Sequence, residues 1–99
     1  MPARPPTTKS FNQPAALTSA QIRAARALIR WSAEDLAKES ALGVATIRRA
    51  ELRDSATKLT AANDLAIRRA LEAAGVEFID ESEGGGPGVR LKKSPHAAS

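Results

Sequence analysis

The side chains best equipped for chemistry are arginines. Arg48 and Arg49 stand side by side in VATIRRAEL, and Arg68 and Arg69 in AIRRALE. A guanidinium is a planar fork of donors that matches two acceptors at once, as in a carboxylate, a phosphate or the O6/N7 edge of guanine. The carboxylates come as sequence neighbours, Glu34-Asp35 and Asp80-Glu81. They read as the first turn of a helix and as a turn, not as an acid–base pair. The single histidine, His96, falls in a polar tail, and the chain has no cysteine. Thiolate and disulfide chemistry is thereby excluded, and no converging set of metal ligands is expected. The run GGGPG lacks the Gly-Lys-Ser/Thr ending of a phosphate loop and leads into no helix, so it reads as a turn. With no Ser/His/Asp set either, the expectation is no catalytic residue, no cofactor, no metal and no enzyme.

The charge distribution narrows the partners. The 99 residues carry a net charge of +4, with 15 Lys and Arg against 11 Asp and Glu. From Leu17 to Arg53 there are seven basic and four acidic residues, while 54–75 is balanced at three of each and 76–99 carries three against four. The excess therefore sits in the first half of the body and in the N-terminal segment, which suits a polyanionic partner. No apolar run approaches the length of a bilayer span and no apolar stretch follows the basic N-terminus, so a cytoplasmic protein is expected.

The elements that must position these residues follow from periodicity. Residues 1–16 are rich in proline and lack an apolar period, predicting a flexible basic arm. Within it, Arg4 and Lys9 are candidates for a minor-groove contact, with a contact-free tail the plain alternative. Thr18 and Gln21 have capping-box spacing, and Ile22, Ala25, Arg26 and Ile29 share one face of a helix over about 19–30. Arg26 is the one charge on that face and calls for an acidic partner. Ser32 opens a second helix over about 33–39, with Leu36 and Ala37 facing inward. Ser40–Gly43 breaks the period, and a third helix follows over about 44–52, with Gly43 as its cap and Ile47 and Ala50 on one face.

RDSATK is a polar loop, Thr60 caps a fourth helix over about 61–74, and Gly75 stops it. On the fourth helix the pattern leaves Arg68-Arg69 as a solvated pair, and it leaves Trp31 as a core residue between the first two helices. Beyond Gly75 the period changes to two. Val76, Phe78, Val89 and Leu91 give one apolar face of a β-hairpin, with Ile79 on the other, joined by a loop longer than a tight two-residue turn. Residues 94–99 read as a disordered tail.

The informative unit is SAEDLAKESALGVATIRRAE. Two short helices separated by about three residues cannot continue one another, and their apolar faces bring them together at a steep angle. The outer face of the third helix is then a ridge of about the width that the major groove of B-DNA admits.

From Thr18 to Leu71 the chain resembles the Cro/C1-type (XRE-like) helix-turn-helix regulators. The match lies in an arginine-bearing first helix, Trp31-Ser32, Glu34-Asp35-Leu36-Ala37, an apolar turn residue, Thr46-Ile47 and Glu51. The resemblance implies a mainly α fold: a four-helix, lambda-repressor-like helix-turn-helix domain (17–75) followed by a C-terminal β-hairpin (76–93) as a possible dimer element. It implies a transcriptional regulator that binds double-stranded DNA sequence-specifically as a homodimer. It also implies an ion pair between Arg26 and Glu51 that locks the first helix to the third. The chain departs from many relatives in two places. Ala33 replaces a glutamine that touches backbone phosphate or a neighbouring base-reading side chain, and Ala41-Leu42-Gly43 replaces Gly-Val-Ser at the turn. An alanine where positive φ is favoured costs about 1 kcal/mol.

Within this frame the expected DNA contacts are Val44 and Ala45 against thymine methyl groups, Arg48 on guanine, Arg49 on a base or phosphate, Thr46 on phosphate or back on the turn, and Ser32 on phosphate. The backbone N–H groups that open the second and third helices are offered to phosphates. No membrane or small-molecule partner is evident. The alternative is a protein-interaction module such as an antitoxin or adaptor, which would use apolar surface and tolerate salt.

Overall fold

The computed structural model describes residues 15–52 and 59–93; the expected arm up to residue 14, the RDSATK loop and the tail with His96 lie outside the described residues. Within them the chain forms four helices, α1 (Ser19–Ile29), α2 (Ala33–Ser40), α3 (Val44–Ala50) and α4 (Ala61–Ala73), and two strands, β1 (Val76–Ile79) and β2 (Gly88–Leu91). The fold is mainly α with a C-terminal hairpin.

Local chemistry sets the helix ends. Thr18 Oγ1 accepts from Gln21 N at 3.0 Å, and Gln21 Oε1 accepts from Thr18 N at 2.9 Å, a reciprocal capping box at the start of α1. Ser32 and Asp35 repeat it on α2, with both bonds at 2.9 Å. Thr60 Oγ1 accepts from Asn63 N at 3.1 Å to start α4. Helix α3 begins at Gly43 with no side-chain cap.

The first two helices stop the same way. Arg30 and Ala41 take left-handed backbones, φ 60° and 62°. Trp31 N then returns to Arg26 O at 2.9 Å, and Leu42 N to Ala37 O at 3.0 Å, the 6→1 bond of a Schellman turn. Neither residue is glycine, so each stop carries a backbone cost. The strain expected at Ala41 is therefore in the molecule. Gly75, φ 107°, ends the α4 segment where the chain turns into β1. The helices differ from the sequence ranges by one or two residues: α1 ends at Ile29 because Arg30 turns left-handed, and α3 ends at Ala50 with Glu51 as its cap.

The core lies where the helices meet. Leu17, Ile22, Leu36, Ile47, Ile67, Leu71 and Val76 are fully buried, and Trp31 packs against them half-buried. A Leu or Ile buried in this way stabilises the fold by roughly 1.5–3 kcal/mol relative to exposure.

The hairpin corrects one expectation, the length of its loop. Its strands pair Val76 with Leu91, Phe78 with Val89 and Ile79 with Gly88, and the bridge of Ser82 to Gly85 continues that register. Glu83-Gly84 is thus a two-residue turn, not part of a long loop. The ladder is interrupted where Pro87, which has no N–H, faces Asp80. The expected apolar face is in place. Val76, Phe78 and Val89 pack on the core, and the strands lie against α1 and α4. Most of that face is used within the chain, with Leu91 exposed at its rim and Ile79 exposed on the other face.

Candidate functional site

Helices α2 and α3 pack on each other through the short connection Ala41–Gly43, and α2 also packs on α4. Ile47 and Ala50 point into the core. Helical periodicity then turns Ala45, Arg48 and Arg49 outward, and all three are exposed, with Val44 and Thr46 half-buried beside them. The five reader candidates on the third helix thus share one short element whose inner face is fixed by the core.

The element is locked by the Arg26–Glu51 pair. Arg26 Nε and Nη2 each donate to a Glu51 carboxylate oxygen at 2.7 Å, a bidentate fork. The side chains are 22 % and 9 % exposed. Arg26 Nη1 also donates to Trp31 O at 2.8 Å, so one guanidinium ties the end of α3 to the α1–α2 turn. The hydrogen bond that Arg26 donates to Glu51 raises the Arg26 pKa above its ordinary value, against desolvation. Arg23, which the sequence did not single out, donates to Glu51 O. Both helix-1 arginines therefore hold the same residue at the end of α3.

At the opposite end of the site, Ser32 is exposed, and its hydroxyl oxygen is occupied by Asp35 N. The Ser32 N–H is taken by the Asp35 carboxylate, so this start of α2 is less open to phosphate than the sequence suggested. That bond, with the Ser32 hydroxyl, holds the Asp35 carboxyl below the ordinary aspartate range. Arg48 is paired with Glu34 across the α2–α3 angle. Nothing in the sequence pattern joined these two residues, which lie 14 positions apart.

No protein-family model matches this chain, and no curated protein matches it in sequence.

The Arg68-Arg69 pair divides. Arg69 is exposed, but Arg68 is only 8 % exposed, correcting its reading as solvated. Its Nη2 donates to Ala15 O at 2.9 Å, its guanidinium lies 5.1 Å from the Phe78 ring centroid, and it pairs with Glu72 at 3.6 Å. Leu17 N donates to Asp64 Oδ1 at 3.0 Å beside it, so α4 fixes the start of the described chain at two points. Gln21 was read only as a capping residue. It also donates to Gly88 O at 3.0 Å and Ile79 O at 3.4 Å, fastening α1 to the hairpin. Among the described residues no group of His, Cys, Asp or Glu could hold a metal ion, and no helix is long and apolar enough to cross a membrane.

Proposed function

We propose that this protein is a sequence-specific double-stranded DNA-binding regulator of transcription that lays α3 in the major groove. The observation that carries this reading is the exposed row of Ala45, Arg48 and Arg49 on a helix whose opposite face is buried. A rigid helix with an outward arginine fork suits direct readout, in which Arg takes guanine O6 and N7 together. Ala45 and Val44 meet thymine methyl groups, Thr46 and Arg49 contact phosphate or an adjacent base, and the Ser32 hydroxyl donates to phosphate. The +3 balance of Leu17–Arg53 adds attraction that is independent of sequence. One such helix spans only a few base pairs, so two copies act on a two-fold symmetric site. Most of the apolar hairpin face is engaged within the chain, and the hairpin's rim at Leu91, 52 % exposed, is the part of it left to serve as a pairing surface.

Selection from a random-sequence duplex library tests this directly. The expected result is one enriched motif with two-fold symmetry and a guanine in each half. Recovery of unenriched sequence by the folded protein would overturn the proposal.

A further inference from the structure

Glu34 occupies the second position of α2 and Arg48 the fifth of α3, and their side chains join across the angle between the helices. Folding does not require this pair. The cap of α2 is supplied by Ser32 and Asp35, and the lock between α1 and α3 by Arg26 and Glu51. Both partners are well over half exposed in their side chains, 64 % for Glu34 and 57 % for Arg48, where an ion pair contributes little to stability. A carboxylate in this position also repels the phosphates that a DNA-binding face must approach. The pair is thus nearly neutral for folding and adverse for general affinity, which leaves selectivity as the property it can serve.

We infer that Glu34 is a positioning residue that sets the base selectivity of Arg48. This rests on the DNA reading of α3. Glu34 holds one Nη of Arg48, and the guanidinium keeps its other N–H groups for an outside acceptor pair. A guanine edge offers two acceptors to that fork while Glu34 stays neutralised by the same guanidinium. At adenine the N6 amino group meets the fork with a donor, and at cytosine the N4 amino group does the same. Arg48 must then either give up the base, and with it the contact, or give up Glu34 and leave a bare carboxylate facing DNA. Glu34 therefore penalises wrong bases, so that selectivity comes from repulsion as well as attraction.

The test measures fluorescence anisotropy of the full chain on its selected duplex, on duplexes with the guanine replaced, and on a scrambled duplex. The proteins are wild type, Glu34→Gln, Arg48→Ala and the double variant. In Glu34→Gln the preference for guanine falls about tenfold while scrambled duplex binds severalfold more tightly. In the Arg48→Ala background, adding Glu34→Gln leaves base preference unchanged. A thermal melt of Glu34→Gln within about 2 °C of wild type separates this from a folding effect. Undiminished guanine preference in Glu34→Gln, or the same loss with and without Arg48, overturns the role of Glu34 and leaves DNA binding intact. A wild-type protein that selects no sequence overturns the DNA reading itself, and this inference with it.

Discussion

Replacing Glu51 by alanine should lower the unfolding midpoint by about 10–20 °C. Exposed ion pairs contribute about 0–1 kcal/mol, whereas breaking a buried pair costs about 3–5 kcal/mol. Arg26 and Glu51, 22 % and 9 % exposed, stand nearer the buried limit. The loss is more than one contact, since two Arg26 N–H groups lose their acceptors at once. Among the described residues, the Trp31 carbonyl is the acceptor that remains for that guanidinium. A cost of about 2–3 kcal/mol follows, and a domain of this size shifts by roughly 4–8 °C per kcal/mol. Thermal denaturation followed by circular dichroism reads it. The companion variant Arg26→Met/Glu51→Leu removes both charges and should recover most of the loss, because the main cost is the stranded partner. A Glu51→Ala midpoint within about 2 °C of wild type would refute the reasoning.

Other outcomes follow from the same contacts. Ala41→Gly relieves the left-handed alanine at φ 62° and should stabilise the fold by up to about 1 kcal/mol, read in the same melt. Arg68→Met, which leaves the Ala15 carbonyl without its donor and removes the charge over Phe78, should cost about 1–2 kcal/mol. Arg69→Ala, on an exposed position, should stay within about 0.5 kcal/mol of wild type. Asp35 has its pKa lowered in the fold, so its contribution is present above the ordinary value of 3.8 and is lost as pH falls through the folded value. Midpoints measured from about pH 5 down to pH 2 should therefore fall less steeply in Asp35→Asn than in wild type.

Much of the fold was legible because its signals are local. Thr18 and Gln21, Ser32 and Thr60 marked helix starts by short-range capping chemistry, and the apolar period marked the inner faces. Arg26 was legible as a charge on an apolar face, which requires a partner wherever the chain supplies one. What escaped depends on distance in the chain. Arg68 looked like a solvated twin of Arg69 because its acceptor at Ala15 is 53 residues away. Gln21 had a complete local role, which hid its bonds to carbonyls 58 and 67 residues on. The hairpin loop looked long because Pro87 interrupts the ladder without shifting the register. In the site, helical spacing grouped Arg48 with Val44 and Ala45, but the bond to Glu34 depends on the angle between two helices.

Sequence-dependent binding across a salt series tests the central claim most directly. Wild type, Arg48→Ala and Arg69→Ala are compared on the selected duplex and on a scrambled one. Loss of an equal charge from α3 and from α4 separates base reading from general attraction. The expected result is an affinity that falls steeply with salt, a preference for the selected duplex that Arg48→Ala reduces by about tenfold or more, and a preference in Arg69→Ala equal to wild type. Equal preference in wild type and Arg48→Ala, or no binding by the folded protein at low salt, would contradict it.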